Sequence, residues 1–389
     1  MSTSAIDYSL PNGLIQASTP IEIGHHTGHF WFPSLHQVGD ALVCAVIRSA
    51  DVAQGKWPAE IFISTDTGAT WHTNQAIDSY GHASVRCTRQ TTLMMPYELW
   101  PVSADDKQHG IAPGNMLTIK ADGSLSVEES EVRFGDFPYP LADAYEGEIM
   151  LHHTGNIHQL PDKRLFTILY GRFDGNEDLN NFAVASDDGG FTWHYLSTVA
   201  DGSAAPGAPE GPNESDSQLL DNGDLLCIYR VSSEWDFYKS YSQDEGRSWS
   251  PPQRMEGMWS VQPRLTRLGN GALVLTGGRP GLFCYLCTDG QGEVWERLNI
   301  GVHHNKLVET EDQRFSEAFC QAAKGEDPAM STSYTSVMPL ESDKMIVAYD
   351  RLANGWSEAP GPNGDFSRVA DTQGNPNHSI SSVLGLGED

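Results

Sequence analysis

Five arginines in this chain stand at the ends of apolar runs that have the character of β-strands. They are Arg48, Arg172, Arg230, Arg279 and Arg351. A guanidinium is always charged, and its planar fork of donors matches a carboxylate, sulfate or phosphate. If these strands end at one place in the fold, the set forms a local positive site for an anion. The alternative is that each arginine pairs with a nearby aspartate or glutamate. We favour anion binding for the set.

Histidines offer a second kind of chemistry. They cluster before and between the strand-like runs, at His25, His26, His29, His82, His152, His153 and His158. Imidazole exchanges a proton near neutral pH, so His82 and His153 would act as acid and base if both faced one cavity. Adjacent residues alternate between strand faces, so only one of His152 and His153 can reach that cavity. The alternatives are a histidine bonded to loop backbone and a metal ligand. We predict no metal and no cofactor.

The strands that must position these residues are marked by an internal repeat. The pattern Ser-x-Asp-x-Gly-x-Thr/Ser-Trp begins at Ser64, Ser186 and Ser242, and a degenerate copy runs from Asp289 to Trp295. Asp and Gly suit a tight turn with left-handed backbone, and the hydroxyls can satisfy its amides while Trp packs beside it. The pattern therefore predicts structural hairpin turns, not catalytic residues.

A second repeated pattern joins two apolar runs through a turn that is mostly of the Asp/Asn-Gly type, at 159–168, 219–228 and 267–275. The two patterns together predict six units of about 50 to 60 residues, each with four short strands. We therefore predict an all-β fold, a six-bladed β-propeller of four-stranded antiparallel blades. It is expected to be a single domain over 1–389 with its core at about 25–352, and a strand at 13–16 is a candidate for closing the last blade.

Composition excludes several classes of partner. The chain has 24 Lys+Arg against 52 Asp+Glu, a formal net charge of −28, which argues against nucleic acid and anionic membranes. Several of the six cysteines lie in apolar runs, so neither a disulfide framework nor a zinc site at Cys284-x-x-Cys287 is expected. The N-terminus lacks the basic start and apolar core of a secretion signal, and we expect a soluble protein that is cytoplasmic as the sequence is written, or secreted or periplasmic if the sequence is a processed form. The oligomeric state is left open.

The repeated turns resemble the Asp boxes of the sialidase (neuraminidase) superfamily, over about residues 25 to 352. The resemblance implies a carbohydrate-active enzyme. Glu214, in Gly211-Pro-Asn-Glu214-Ser, is similar to the family's catalytic glutamate, and Arg230 to the second arginine of its carboxylate-binding triad. Tyr334 is similar to the nucleophilic tyrosine, and Arg279 is the candidate for the third arginine. Glu214 would then be the base that activates Tyr334.

The chain departs from the family at the first triad arginine. The family's Arg-Ile-Pro corresponds here to Phe30-Trp31-Phe32-Pro33, so Trp31 stands in the arginine's place and offers a ring on which a sugar could stack. Loss of one arginine weakens a clamp built for a carboxylate. The aspartate that serves as the family's catalytic acid, the proton donor, is expected shortly after the first inner strands, where Asp51 is the nearest candidate.

These residues predict a sialidase-like glycoside hydrolase acting on an acidic sugar. Tyr334, Glu214, Asp51 and His153 are the candidate catalytic residues, and the candidate substrate ligands are Arg230, Arg279, Arg48, Arg172, Trp31 and His82. A first alternative is a lyase that cleaves uronate-containing polysaccharide through His153, Tyr334 and an arginine. A second is a carbohydrate-binding protein without catalysis.

Overall fold

The computed structural model describes residues 5–11, 13–51, 57–144, 149–232, 235–321, 329–353 and 376–387. Within these ranges the chain forms 29 β-strands and two short helices, α1 (Ile300–Leu307) and α2 (Glu317–Cys320). The predicted all-β class is confirmed. In the described part of the chain, neither helix is long and apolar enough to cross a membrane.

The first strands in chain order are β1 (Ala5–Leu10), β2 (Gly13–Ser18), β3 (Ile21–His26), β4 (Trp31–Val38), β5 (Ala41–Ile47), β6 (Ala59–Ser64), β7 (His72–Ile77), β8 (Ser84–Arg86), β9 (Thr91–Met94) and β10 (Glu98–Ser103). The next are β11 (Asp106–Ile119), β12 (Leu125–Gly135), β13 (Leu141–Ala142), β14 (Leu151–His153), β15 (His158–Gln159), β16 (Leu165–Phe173), β17 (Asn180–Ser186), β18 (Thr192–Ala200), β19 (Asn213–Leu219) and β20 (Leu225–Arg230). The last are β21 (Tyr238–Ser242), β22 (Gln253–Arg254), β23 (Val261–Arg267), β24 (Leu273–Gly278), β25 (Leu282–Cys287), β26 (Glu296–Asn299), β27 (Ser336–Pro339), β28 (Lys344–Arg351) and β29 (Asn377–Gly387).

Three of the sheets have the predicted form of four antiparallel strands in chain order. They are β4 to β7, β19 to β22 and β23 to β26. Their first hairpins turn at glycines with positive φ, such as Gly223 at 88° and Gly271 at 92°, where a side chain would be strained. The second strand of each is fully buried, because it is covered on both faces by neighbouring sheets.

The prediction of a six-bladed propeller with separate four-stranded blades is wrong, because the described strands form five sheets. The strands β8 to β18 form one eleven-stranded sheet, in which β10, β14, β16, β17, β18, β12 and β11 close on themselves through the pairing of β10 with β11. The physical reason is the length of β11 and β12. These strands of 14 and 11 residues extend past residues 115–118 of β11, the part that pairs with β9, so β12 also pairs in parallel with β18 and β11 also pairs with β10.

The fifth sheet joins the two ends of the chain. It has six strands in the order β1, β2, β29, β28, β27, and β3 also pairs with β29. The strand expected at 13–16 is present as part of β2, where Leu14 lies opposite Gly387 and Ala17 opposite Leu384. The sheets touch in a closed circuit, since β4 contacts β9 and β27, β16 contacts β19, and β23 contacts both β19 and β27. The strand ends of this circuit surround the site described below.

The repeated turns share one set of hydrogen bonds. In the first, Ser64 Oγ accepts from the Gly68 amide at 2.9 Å, and Asp66 Oδ1 accepts from the Thr70 amide at 2.8 Å. The same bonds recur in the copies at Ser186 and Ser242. In the degenerate copy Cys287 replaces the serine and donates to Asp289. The six cysteines are all described, and each is a free thiol.

Candidate functional site

The centre of the site is a hydrogen bond between two side chains that are 120 positions apart. The hydroxyl of Tyr334 donates to Oε1 of Glu214. Glu214 lies in β19, whereas Tyr334 lies two residues before β27 in a different sheet. The fold thus brings together the two residues that the sequence singles out as base and nucleophile.

Glu214 is aimed by a β-bulge. The register of the β19–β20 hairpin shifts between Asn213, which faces Arg230, and Ser215, so Glu214 is the extra residue. A bulge redirects a side chain out of the regular alternation. Glu214 Oε2 then accepts hydrogen bonds from Arg230 Nη1 at 2.6 Å and from the Gln262 amide at 2.9 Å.

Two more bulges lie at the corresponding place in neighbouring sheets. The register of β4 shifts across Phe32 and that of β23 across Gln262, and their φ angles are 51° and 29°. Left-handed backbone is costly for residues with a side chain and is concentrated at functional sites. Each of these residues precedes a proline, Pro33 or Pro263, which has no amide hydrogen for the ladder. That repeated x-Pro pattern is a sequence signal that the prediction of the site did not use.

The Glu214 carboxylate is held in its ionised form. It is 3% exposed, and this burial by itself raises its pKa. The charge of Arg230 and the hydrogen bonds from Tyr334 and Gln262 outweigh burial and bring the pKa below the ordinary 4.5. Glu214 is therefore ready to accept a proton at neutral pH.

The Tyr334 phenol is held in its neutral form. Burial, the negative charge of Glu214 and the neighbouring Tyr97 raise its pKa well above 10, while Arg279 and Arg230 act in the opposite direction. A neutral phenol is a weak nucleophile unless its proton leaves as the new bond forms. The hydrogen bond to Glu214 provides the route for that proton.

Two of the five arginines reach this pair. Arg230 Nη2 binds both carboxylate oxygens of Glu210 at 2.9 Å, in addition to the bond from Nη1 to Glu214. Arg279 lies over the Tyr334 ring, 5.4 Å from its centroid, and donates to the Thr332 carbonyl oxygen at 2.8 and 3.2 Å. Arg230 thus shows the pairing with acids that was the alternative to anion binding, whereas Arg279 stands beside the phenol.

The side chains of the other three arginines have partners away from the Tyr334–Glu214 pair. Arg48 forms an ion pair with Glu60 at 2.5 Å. Arg172 donates to the carbonyl oxygens of 143, 144 and 177, and Arg351 donates to that of Arg314. Of the five arginines, Arg230 and Arg279 lie beside the Tyr334–Glu214 pair, and the other three do not contribute to one cluster with them.

The two histidines predicted for proton transfer occupy different positions. His82 is stacked beside Tyr334, with ring centroids 6.2 Å apart and planes at 28°. His153 is fully buried, and its Nε2 lies 2.9 Å from Thr167 Oγ1. Burial, together with the charge of Arg264, lowers the pKa of His153 to about 3 and that of His82 well below 6.5. Both rings are therefore neutral at physiological pH and do not store a proton for the reaction.

Trp31 and Asp51 lie at the edge of the cluster. Trp31 is 1% exposed, donates from Nε1 to the Ser49 carbonyl at 3.0 Å and packs on Phe32 at 5.3 Å, so no ring face is open for stacking on a sugar. Phe32, not Trp31, touches the Tyr334 ring, at 4.6 Å. Asp51 is partly buried. The pKa of Tyr97 is raised first by burial, then by the negative charge of Glu214, and then by that of Asp51. Asp51 is therefore on the same side of the protein as the Tyr334–Glu214 pair.

Asp350, which no sequence motif indicates, holds the segment that carries Tyr334. Its buried carboxylate accepts from Ser331 Oγ at 2.7 Å, from the Thr332 amide at 2.8 Å and from the Phe32 amide at 3.1 Å. Thr332 Oγ1 also donates to it. Asp350 thus joins the bulge at Phe32 to the backbone just before the phenol. Its place beside Arg351 in an apolar run is the one unusual feature that could have drawn attention to it.

Tyr97 is a second phenol at the site that the sequence did not indicate. Its ring packs on His82 at 5.0 Å, on His152 at 5.2 Å and on Trp57 at 5.3 Å. His152, the neighbour of His153 on the opposite strand face, is therefore the member of the histidine pair that approaches Tyr97. Its Nε2 lies 3.7 Å from Glu98.

Comparison with known proteins gives the class of fold. No family model matches the chain, and no curated protein matches it. A protein of unknown function from Dyadobacter fermentans DSM 18053 matches with a TM-score of 0.63 at 16% identity, over 97% of this chain and 100% of the other. A Trypanosoma rangeli sialidase in complex with 2,3-difluorosialic acid, a covalent intermediate, matches with a TM-score of 0.53 at 12% identity, over 97% of this chain and 57% of the other. The Hadza microbial sialidase Hz136 matches with a TM-score of 0.52 at 13% identity, over 96% of this chain and 74% of the other. The chain has a sialidase-like fold, and it spans little more than half the length of the T. rangeli sialidase.

Proposed function

We propose that this protein is a glycosidase that hydrolyses an acidic sugar, with Tyr334 as the nucleophile and Glu214 as its base. The observation that carries the proposal is the hydrogen bond from the Tyr334 hydroxyl to Glu214 Oε1, between a neutral phenol and an ionised carboxylate. Glu214 is buried and Tyr334 is partly buried, so the phenol keeps an exposed part while its hydroxyl faces the carboxylate. The pair has the geometry of a nucleophile and its base.

The reaction proceeds in two balanced steps. In the first, Tyr334 Oη bonds to the anomeric carbon while its proton passes to Glu214, the glycosidic bond breaks, and the leaving oxygen takes a proton from Asp51. In the second, water attacks the same carbon and gives its proton to the Asp51 carboxylate, the bond to Tyr334 breaks, and Glu214 returns the proton to the phenol. A neutral phenol suits a substrate that carries its own carboxylate, since the two do not repel each other as two anions would.

Charge supports an anionic substrate. Arg279 is 8% exposed, lies against Tyr334 and binds a carbonyl oxygen, so we assign it to the substrate's carboxylate. Arg230 already binds Glu210 and Glu214, and we assign it the role of orienting the base. The protein as a whole carries −28, so the positive site is local.

The test is a panel of fluorogenic glycosides of sialic, uronic and neutral sugars, assayed with the wild type, Tyr334→Phe and the matched control Tyr195→Phe. The Tyr195 hydroxyl bonds Thr198 in β18. We expect release from an acidic glycoside, loss of about 1,000-fold or more in Tyr334→Phe and no loss in the control. Full activity of Tyr334→Phe would remove the nucleophile assignment. An unsaturated uronate product would indicate the lyase instead, and binding without any turnover would indicate a lectin.

A trapping experiment identifies the nucleophile directly. 2,3-Difluorosialic acid is the compound in the T. rangeli sialidase complex described as a covalent intermediate. Incubation of this protein with the same compound, followed by peptide mass spectrometry, should place the added mass on Tyr334. An adduct on any other residue would contradict the assignment.

A further inference from the structure

A second group of side chains lies where the first and last strands of the fifth sheet meet. Glu22 and His25 belong to β3, and His378 belongs to β29, directly opposite His25 in the register. In regular strands, residues three apart point to opposite faces. The β3–β29 register shifts between Ser379 and Ile380, and this irregularity lets Glu22 and His25 reach the same place.

The three side chains offer converging ligand atoms. His25 Nδ1 lies 2.8 Å from Glu22 Oε1, and His378 Nδ1 lies 2.6 Å from Glu22 Oε2. One ligand atom from each residue lies within 4.8 Å of those of the other two. Both imidazoles thus present the same nitrogen to the two oxygens of one carboxylate. A cation of about 2 Å bond length placed among them would contact all three groups.

Burial gives this cluster one fixed wall and one open side. The His378 side chain is 4% exposed, whereas those of Glu22 and His25 are 34% and 58% exposed. His378 Nε2 is buried without a hydrogen-bond partner, so Nδ1, which faces Glu22, is the ring nitrogen that can bind a ligand. Gln313, from the 3-10 turn Glu311–Gln313, donates to Glu22 Oε2 at 3.0 Å and supports the carboxylate from outside. A metal ion could therefore enter from solvent into a ligand set held by the fold.

We propose that Glu22, His25 and His378 bind a divalent transition-metal ion, with Zn²⁺ as the favoured occupant. Two imidazole nitrogens and one carboxylate suit Zn²⁺, Co²⁺ or Ni²⁺, whereas Mg²⁺ and Ca²⁺ require oxygen ligands. This proposal changes the expectation that the chain binds no metal. None of the three residues has a described contact with Tyr334 or Glu214, so the ion serves the structure and not the reaction.

The bound ion would link the two ends of the fold. It joins β3 near the start of the chain to β29 near its end, and Gln313 attaches the 3-10 turn to the same point. A ligand that binds only the folded state stabilises it by mass action. We therefore expect the metal to raise the unfolding temperature.

The experiment uses the full chain after treatment with a chelator and its removal. Zn²⁺ or Co²⁺, but not Mg²⁺ or Ca²⁺, should raise the unfolding temperature, and Co²⁺ should give the visible absorption bands of a nitrogen- and oxygen-ligated ion. His25→Ala and Glu22→Gln should weaken Co²⁺ binding by about tenfold or more. The matched control is His194→Ala, which removes another histidine that pairs with a carboxylate, Asp136, at 2.6 Å.

Loss of metal binding in a variant is distinguishable from a failure of that variant to fold. His25 is exposed, so its alanine variant is expected to fold, and circular dichroism checks this directly. Absence of any Zn²⁺ or Co²⁺ effect on the wild type would overturn the proposal. Unchanged Co²⁺ affinity in both His25→Ala and Glu22→Gln would also overturn it, because the ion would then bind elsewhere.

Discussion

Arg230 binds one oxygen of Glu214 at 2.6 Å and leaves the other oxygen to the Tyr334 phenol. Its second nitrogen is occupied by Glu210, so the guanidinium is fixed between two carboxylates. The arginine nearest to the base therefore sets the orientation and ionisation of Glu214.

Replacing Glu214 by glutamine should remove the base while keeping its shape. We expect kcat/KM to fall about 100- to 10,000-fold, because an amide cannot take the phenol's proton. The pKa of Glu214 lies below 4.5, so wild-type activity should be retained above that pH and be lost as the pH falls through the lowered pKa. Rate measurements against pH for the wild type, Glu214→Gln and the exposed control Glu131→Gln test this. An unchanged rate in Glu214→Gln contradicts it.

Buried histidines should make the fold sensitive to acid. Burial lowers the pKa of His36 and His153 to about 3 and that of His158 to about 4, against 6.5 in the unfolded chain. Between these values only the unfolded state binds the protons, so stability is full above pH 6.5 and decreases as the pH falls toward 4. The expected slope is about 1.4 kcal/mol per pH unit for each histidine. Urea unfolding across this range measures it, and His153→Gln should reduce the slope where the exposed His72→Gln does not.

The sequence predicted the fold class better than the arrangement of its sheets. The turns at Ser64, Ser186 and Ser242 are local, and their hydrogen bonds depend on residues within a few positions, so their pattern is readable. The union of β8 to β18 into one sheet depends on how far β11 and β12 extend past the part of β11 that pairs with β9. Alternating sequence does not say where a strand stops pairing with one neighbour and begins with another.

The residues of the candidate site are predictable only in part for the same reason. Short motifs surround Glu214 and Tyr334, which the structure joins by a hydrogen bond, whereas the five arginines share only their position after a strand. A position after a strand places the arginine at the strand end but does not determine which group its guanidinium binds. Arg48 forms an ion pair with Glu60, whereas Arg172 donates to backbone carbonyl oxygens. The role of Asp350 is not readable from the sequence, because it depends on Phe32 and Thr332, which are 318 and 18 positions away.

Asp350→Asn should slow catalysis without touching the substrate. Ser331, Thr332 and Phe32 now donate hydrogen bonds to the Asp350 carboxylate. The asparagine amide would place its own N–H groups against some of these donors. We expect the unfolding temperature to fall and kcat to drop about tenfold or more with little change in KM, because the phenol is misplaced. The exposed Asp174→Asn is the control. A normal rate of trapping by 2,3-difluorosialic acid in Asp350→Asn would argue against a positioning role.

The strongest discrimination between the arginines comes from charge. Arg279 lies against the Tyr334 ring, whereas Arg48 is paired with Glu60, so only Arg279→Ala should impair recognition of the substrate's carboxylate. Loss of a charge-assisted hydrogen bond costs about 1.5–3 kcal/mol, which corresponds to a decrease of about 10- to 150-fold in kcat/KM. The same variant should act almost normally on the methyl ester of that substrate, since the ester carries no charge to bind. Equal losses for the acid and the ester would mean that Arg279 supports Tyr334 alone, and a loss in Arg48→Ala as large as in Arg279→Ala would return the anion site to the wider set of arginines.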